Sequence, residues 1–265
     1  MTHKEQHYTF GDSELAARRL ALLAGVFQAT SSRLLQGLTL PSDAREVGVD
    51  LGCGPGYTTE LVAACLPLAH VFGLDQSRRL LERAAAERSS ERVSFARCDV
   101  SAPPLPVPLA DLLYSRFLLT HLREPASVIR SWATAAAPGA RLVLEETASM
   151  TGAHPAFPRY YALVARMQAH YGQRMYIGLE LEALSACPEW SVEHAEIAVA
   201  SLPARDMAQL HFFNLLTWSS DAFAREHYAP DELSALGAEL EQIASSQLEV
   251  PPVTLGMGQV VLRRR

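Results

Sequence analysis

The residues best suited to chemistry form a glycine-rich loop. The stretch VGVDLGCGPGYTT, residues 47–59, carries glycines at 52, 54 and 56 directly after an apolar run. Glycine permits positive φ angles and lets a ligand lie against the main chain. The loop could therefore hold a small ligand, or it could be a tight turn with no ligand. Its own sequence does not decide between the two.

Two aspartates follow the next two apolar runs. Asp75 ends VFGLD and Asp99 follows SFARC. A carboxylate at the distance of Asp75 from such a loop accepts hydrogen bonds from ribose hydroxyls in nucleotide-binding sheets, and it is also a good cap for the helix that follows. Ligands of open α/β sheets bind at the carboxyl ends of the strands. We therefore expect both acids beside the loop.

The spacing of the loop separates nucleotide cofactors. A dinucleotide motif, GxGxxG, would need its third glycine where Tyr57 stands, and no Gly-Lys-Ser/Thr completes a P-loop. NAD is therefore disfavoured and a P-loop is excluded.

Apolar runs alternate with helical patterns through the first half of the chain. Strands are predicted at 46–51, 70–74, 92–96, 111–115 and 141–145, and helices at 57–65, 77–88 and 125–136. This alternation indicates βαβ units. The predicted fold is α/β: a Rossmann-like, doubly wound, mostly parallel sheet with an antiparallel C-terminal edge strand at 258–262 and a helical cap.

The same patterns divide the chain into four parts. We expect an N-terminal helical lid at 1–40, a cofactor-binding Rossmann-like core at 41–147, a helical cap insertion at 148–190, and C-terminal strands and helices that complete the core at 191–265. Within the last part, 191–199 is typical of a strand, and 206–227 and 231–248 are typical of helices.

Composition limits the classes of partner. The chain has 265 residues and a net charge of −6, which gives no electrostatic reason to expect nucleic acid. Four cysteines without metal-ligand spacing favour a reduced, cytoplasmic protein without a zinc site. The polar start is unlike a secretory signal, and the apolar runs are too short to span a membrane. A homodimer is compatible with the sequence.

In their order and spacing, the motifs resemble the class I S-adenosylmethionine-dependent methyltransferases. The similarity runs from VDLGCGPG through GLDQS, RCDV and DLLYSRFLLTHL to PGARLVLEE, over about residues 47–147. It implies S-adenosyl-L-methionine as cofactor and in-line methyl transfer to a small-molecule oxygen or nitrogen acceptor. The alternatives are an RNA or protein methyltransferase and a non-catalytic cofactor-binding module. A macromolecular acceptor would require a basic groove or an appended binding domain, and neither is visible.

The resemblance also implies which residues hold the cofactor. Asp50 and the loop would hold the amino-acid part, Asp75 the ribose and Asp99 the adenine amino group, while Ser115 would offer its carbonyl to the cofactor's amino group and Tyr8 would belong to a lid. The full cofactor set is Tyr8, Asp50, Gly52, Cys53, Gly54, Gly56, Asp75, Gln76, Cys98, Asp99, Val100 and Ser115.

Candidate catalytic residues follow the fourth and fifth strands. His121 is predicted as a base because histidine titrates near neutrality; packing or capping of the following turn is the alternative. Glu145 and Glu146 end the fifth strand, and we expect one of them to face the pocket. Glu145 is predicted to be catalytic and Glu146 to bind substrate. Arg116 is predicted to orient an acidic substrate, with a surface salt bridge as the alternative.

A segment rich in Tyr and Met, 154–178, suits an apolar acceptor. From it, Tyr160, Tyr171 and Met175 are predicted to bind substrate, although such stripes are more often core. The stretch HFFNLLTW, 211–218, is favoured as core. No metal is expected, because Ser115 and Arg116 stand where metal-dependent O-methyltransferases carry carboxylates.

Overall fold

The strands of the protein lie in one mixed sheet. A computed structural model describes residues 14–40 and 46–265. The strands are β1 (Val47–Leu51), β2 (His70–Asp75), β3 (Val93–Arg97), β4 (Ala110–Arg116), β5 (Ala136–Thr151), β6 (Trp190–Leu202) and β7 (Val253–Arg264). They pair in the order β3-β2-β1-β4-β5-β7-β6.

The strand directions confirm the predicted fold class. β1 to β5 pair with one another in parallel, whereas β7 is antiparallel to both β5 and β6. The prediction of a mostly parallel, Rossmann-like sheet with an antiparallel C-terminal strand is correct. The edge position predicted for that strand is wrong, because it lies between β5 and β6 and β6 takes the edge.

Helices connect and cover the strands. They are α1 (Glu14–Gln36), α2 (Tyr57–Cys65), α3 (Arg78–Arg88), α4 (Pro125–Trp132), α5 (Ala156–His170), α6 (Leu181–Leu184), α7 (Ala204–Trp218), α8 (Ala222–His227) and α9 (Pro230–Ala244). The predicted helix at 206–227 is two helices, because the Asp221 side chain accepts the N–H of Phe223 and starts α8. No helix in the described ranges is long and apolar enough to cross a membrane.

A helical cap covers the carboxyl edge of the sheet. One apolar cluster joins Phe27 of α1, Phe157 of α5, Met207 of α7 and Leu240 of α9. The cap was expected from 148–190, but α7 to α9, which lie between β6 and β7 in the chain, also belong to this cluster. Burial of one shared apolar surface holds the segments together.

Two backbones pass very close to each other where β7 runs beneath a short turn, Ile177–Leu179. A Cβ added to Gly258 would overlap the carbonyl oxygen of Gly178, and one added to Gly178 would overlap the carbonyl oxygen of Glu146. Since backbone atoms cannot move aside as a flexible side chain can, glycine is required at both positions.

This close approach makes Gly258→Ala strongly destabilising. We expect a loss of about 2–4 kcal/mol in the free energy of unfolding, the range of severe steric or strain effects, measured by urea denaturation. Gly25→Ala is the matched control, because no atom lies within 4 Å of a Cβ placed there on α1. That variant should gain about 0.5–1 kcal/mol from higher helix propensity. Equal stability of the two variants would contradict the packing.

Buried histidine in the cap gives a second expectation. Burial lowers the pKa of His211 to about 3, and its side chain is 3% exposed. The unfolded chain, with a histidine pKa near 6.5, therefore binds a proton that the folded chain does not. Because the folded state keeps His211 neutral, its contribution to the free energy of unfolding is complete above pH 6.5. The contribution falls as the pH is lowered towards 3, by about 2 kcal/mol at pH 5.

His211→Gln should therefore lose less free energy of unfolding between pH 7 and pH 5 than the unaltered protein, as measured by urea denaturation. An equal loss in both proteins would contradict a buried, neutral His211.

Candidate active site

The glycine loop is fixed to the end of β2 by its own backbone. The N–H groups of Gly52 and Cys53 both donate to the carbonyl of Leu74, at 2.8 and 3.0 Å. Gly52, Gly54 and Gly56 have φ angles of 74°, 54° and 87°, values that other residues adopt at a cost. The sequence of glycines thus forms a turn whose backbone borders the space above the sheet edge.

Asp75 is the side chain that holds this turn. Its Oδ2 accepts the N–H of Gly54 and its Oδ1 accepts the N–H of Ser77, both at 2.8 Å. Burial raises the pKa of Asp75, and the N–H groups of Ser77, Gly54 and Gln76 act in the opposite direction. Asp75 therefore shapes the loop and the turn before α3 while it lies at the cavity wall; the residue that caps α3 is Ser77, whose hydroxyl accepts the N–H of Leu80.

Asp99 lies beside Asp75 because the two segments are joined through their backbones. The N–H of Cys98 donates to the carbonyl of Asp75 at 2.9 Å. The Asp99 side chain is exposed and its Oδ1 accepts both the N–H and the hydroxyl of Ser101, at 2.9 and 2.6 Å. The carboxylate is thereby held at the same sheet edge as the loop.

A cavity of about 1270 Å³ lies between the sheet edge and the helices α1, α5 and α7. It exceeds the ~300–1,000 Å³ common for a single small-molecule site, so it has room for two ligands side by side. The predicted residues that line it are Gly52, Cys53, Gly54, Asp75, Gln76, Cys98, Asp99, Val100, Arg116, His121, Glu146, Tyr160 and Met175.

Two predicted cofactor residues, Asp50 and Gly56, lie behind the cavity wall instead. Asp50 is 1% exposed and accepts hydrogen bonds from the hydroxyls of Thr58 and Thr59, at 2.5 and 2.7 Å. Burial raises its pKa to about 6. Gly56 begins α2 and packs on Phe95. Direct cofactor contact was predicted for both, but their positions indicate that they support the loop from behind.

Ser115 and Tyr8 complete the predicted cofactor set. The Ser115 side chain is buried, and the part of the cavity wall formed by β4 begins at its last residue, Arg116. The predicted contact between the Ser115 carbonyl and the cofactor stays a prediction. Tyr8 lies outside the described residues.

Glu145 does not reach the cavity, so its predicted catalytic role is not supported. It is completely buried and accepts hydrogen bonds from the Tyr114 hydroxyl and from Nε2 of Gln259, the latter at 2.6 Å. Neighbouring residues of a strand point to opposite faces. Glu145 follows the face of Val143, which packs towards α1 and α2, and Glu146 takes the face that lines the cavity.

Glu146 fixes the turn that carries His121. Its Oε1 accepts the N–H of Leu119 at 2.6 Å, at the start of the turn Leu119–His121. Burial raises the pKa of Glu146 to about 8, and the N–H groups of Leu119, Leu118 and Thr120 oppose this rise. The carboxyl group thus has a positioning role besides lining the cavity.

His121 is held neutral. Burial lowers its pKa to about 4, the positive charge of Arg19 acts in the same direction, and a hydrogen bond with Gln173 opposes them. Arg19, on α1, is 4% exposed and lines the same cavity. At neutral pH the imidazole can accept a hydrogen bond, but it is a weak proton acceptor.

Tyr171 was predicted to bind substrate and is placed elsewhere. Its hydroxyl donates to both carboxylate oxygens of Asp221, at 2.8 and 3.0 Å, and so links the end of α5 to the start of α8. Tyr171 is not part of the cavity wall, whereas Tyr160 and Met175 are.

The structure adds wall residues that the sequence did not single out. Phe117, directly after β4, has a φ angle of 56°. Its ring packs edge-on against the ring of Phe27 on α1, with the ring centroids 5.1 Å apart. Gln168, His211 and Asn214 line the cavity from α5 and α7. HFFNLLTW was favoured as core, and the signal that could have identified His211 and Asn214 is their polarity within an apolar stretch.

Residues 14–40 and 46–265 contain no candidate metal-binding site. No group of three or more His, Cys, Asp or Glu side chains is arranged there to bind a metal ion.

Comparisons with known proteins point to one family. Residues 49–144 match the family model of a methyltransferase domain. A trans-aconitate 2-methyltransferase of Methylobacterium radiotolerans is 38% identical over 106 residues. That match covers 40% of this chain and 40% of the relative, so it spans less than half of either protein.

Two solved structures share the fold over most of the chain. A geranyl diphosphate methyltransferase in complex with S-adenosylmethionine has a TM-score of 0.53 and 15% identity, covering 94% of this chain and 90% of that one. The cyclase SpnF has a TM-score of 0.56 and 20% identity, covering 94% and 92%. These likenesses show the fold and leave the reaction open.

The stretch that matches the family model contains the glycine loop, Asp75, Asp99 and His121. The sheet order and the cavity place these residues at one edge. Over residues 49–144, the chain is therefore similar to a methyltransferase domain, and over most of its length it shares its fold with a solved S-adenosylmethionine-bound methyltransferase.

Proposed function

We propose that the chain is an S-adenosylmethionine-dependent methyltransferase that acts on an oxygen or nitrogen atom of a small molecule by in-line transfer. The observation that carries this proposal is one continuous cavity. Its wall includes Gly54, Asp75 and Asp99 on one side and Arg116 and His121 on the other. In-line displacement requires donor and acceptor to be held in one space in the correct orientation.

The loop side of the cavity fits S-adenosyl-L-methionine. A Cβ placed on Gly54 would meet only the Leu20 side chain, at 4.0 Å, so its backbone is open to a ligand. We expect the Gly52–Gly54 backbone to hold the amino-acid part, Asp75 the ribose hydroxyls and Asp99 the adenine amino group. The bound cofactor supplies an activated methyl group, so the protein needs chiefly to orient the acceptor and exclude water.

The cover over the cavity favours a small acceptor. Leu23 and Phe27 of α1, Val164 of α5 and Met207 of α7 line the wall, so helices from both ends of the chain border this space. An RNA or protein acceptor would need an open groove, which for nucleic acid is also positively charged. The arrangement therefore supports a small molecule over the macromolecular alternative.

The wall beyond the loop favours an acceptor that arrives already deprotonated. His121, with a pKa lowered to about 4, is a poor base for an alcohol. Arg19, Arg116 and Arg123 line this side, and Glu146 is the acid among the described residues there. A carboxylate needs no base and suits this charge balance. The relative named for trans-aconitate, a tricarboxylic acid, adds support for an acidic acceptor.

Cofactor binding gives the first test. We expect S-adenosylhomocysteine to bind the intact protein in isothermal titration calorimetry, and Asp75→Ala to weaken binding at least about tenfold, because it removes acceptors for the ribose and for the Gly54 N–H. Asp206→Ala, which removes a carboxylate that pairs with Arg205 on α7, is the matched control and should bind normally. Absence of heat with the intact protein would overturn the proposed function.

The protonation of His121 gives the second test. Its ring should stay neutral from pH 8 down to about pH 5 and gain a proton near pH 4, as followed by imidazole nitrogen shifts in NMR, with His121→Gln identifying the signal. The reason is that burial and Arg19 both disfavour the charged form. Titration near pH 7 in the complex with S-adenosylhomocysteine would instead restore a role as general base.

The acceptor gives the third test. With methyl-labelled cofactor, we expect methyl esters to form from carboxylic acids in preference to alcohols of the same carbon skeleton, detected by mass spectrometry. Label transfer to alcohols alone would contradict the charge argument. Binding of S-adenosylhomocysteine without transfer to any of these compounds would favour a non-catalytic module or a reaction like that of the cyclase neighbour.

A further inference from the structure

Four polar side chains of the cap are buried along the cavity with hydrogen-bonding capacity left over. Tyr160 and Gln168 of α5 and His211 and Asn214 of α7 line the cavity and are 2–8% exposed. Gln168 Oε1, His211 Nδ1 and Asn214 Oδ1 form no hydrogen bond, and the Tyr160 oxygen has the side chains of Trp218 and Asn214 as neighbouring donors, which leaves its own proton to donate. Leaving a buried polar atom unpaired costs free energy, so their partners are expected from what fills the cavity.

Three of these side chains form one cluster, here called the cap polar cluster: Tyr160, His211 and Asn214. The rings of Tyr160 and His211 stack with centroids 4.2 Å apart and planes 21° apart. Asn214 follows His211 by three residues and lies on the same face of α7. The Tyr161 hydroxyl, 3.3 Å from Nε2 of His211, orients that ring. Gln168 lies two turns further along α5.

The cap polar cluster carries no charge at neutral pH. Burial lowers the pKa of His211 to about 3 and raises the pKa of Tyr160 well above its usual value. Apart from Gln168, the other described residues of α5 and α7 on the cavity wall are apolar: Val164, Met207 and Leu210. These helices therefore offer hydrogen bonds within an apolar wall, and they offer no ion pair.

A hydroxyl group is the ligand group that fits this set. It can accept from the Tyr160 hydroxyl and donate to the Asn214 carbonyl oxygen, whereas a carboxylate can only accept. A second carboxylate here would also lose hydration, and neither α5 nor α7 has a cation on this wall to compensate it; the positive charge that acts on Tyr160 is that of Arg19 on α1. The apolar neighbours suit a hydrocarbon body between this group and the rest of the molecule.

We infer that the cap polar cluster binds an uncharged hydroxyl group of an otherwise apolar acceptor. This inference rests on the proposed function, because it names the acceptor of the same cavity. It separates this chain from an enzyme for a polycarboxylate, since a compound with several charges would place one of them against the uncharged side chains of α5 and α7. The acceptor class is therefore an apolar acid that carries a hydroxyl group.

The experiment compares three probes in the presence of saturating S-adenosylhomocysteine. The probes are 3-phenylpropionate, 3-(4-hydroxyphenyl)propionate and 3-(4-carboxyphenyl)propionate, which differ only at the para position. We expect the hydroxyl probe to bind about five- to tenfold more tightly than the unsubstituted one, and the dicarboxylate to bind more weakly than both. Affinities come from calorimetry or ligand-observed NMR.

Variants connect this preference to the cluster. Tyr160→Phe and Asn214→Leu should each remove the advantage of the hydroxyl probe while the affinity for 3-phenylpropionate is kept. Tyr171→Phe is the matched control, because the Tyr171 hydroxyl bonds to Asp221 away from the cavity, and it should keep the full preference. Calorimetry with S-adenosylhomocysteine confirms that each variant is folded.

The outcomes are distinct. A hydroxyl probe that binds no better than 3-phenylpropionate, or a preference that survives both variants, would overturn the inference and indicate that the cluster holds only water. Tighter binding of the dicarboxylate would overturn it in favour of a polyanionic acceptor. Failure of S-adenosylhomocysteine itself to bind would instead refute the proposed function.

Discussion

The in-register parallel pairing of β1 to β4 is the constraint on which the site depends. Leu51 is level with Leu74 on one side and with Ser115 on the other, and Leu74 is level with Ala96. The strands therefore end at one edge. Because the first residues of the glycine loop continue the hydrogen bonding to Leu74, the loop has the same alignment. The alignment brings Asp75 and Asp99 beside the loop, and the hydrogen bonds from Gly54 to Asp75 and from Cys98 to Asp75 hold them there.

Side chains next to each other in sequence serve different purposes at this edge. Glu145 is sealed in a hydrogen-bonded network with Tyr114 and Gln259 on one face of β5. Glu146, on the other face, holds the turn that carries His121. One buried carboxyl group thus joins strands and the next orients the cavity wall. The division follows from strand alternation, and it makes β5 a link between the core and the candidate acceptor side.

Much of the cofactor side could be predicted from the sequence, because its residues belong to short motifs at strand ends. The acceptor side could not, because its residues come from helices that are far apart in the chain. Tyr160 and Tyr171 look alike in a Tyr-rich segment, yet only the rotation of α5 decides which one meets the cavity. Arg19 and His211 lie in segments whose sequence pattern is that of ordinary amphipathic helices. Their proximity depends on how α1, α5 and α7 pack, and a local pattern carries no information on that.

The position of β7 in the sheet has a consequence for how the molecule assembles. This last strand inserts between β5 and β6, and the helices α7 to α9 lie in the chain between β6 and β7. The pairing of β5 with β7 joins residues much further apart in the chain, such as Glu145 and Gln259, than the pairing of β1 with β4, such as Gly48 and Leu112. Closing a longer loop costs more conformational entropy. The candidate acceptor side of the cavity, whose helices α5 and α7 lie in the chain between β5 and β7, therefore depends on a strand pairing that spans more of the chain than any parallel pair of the sheet.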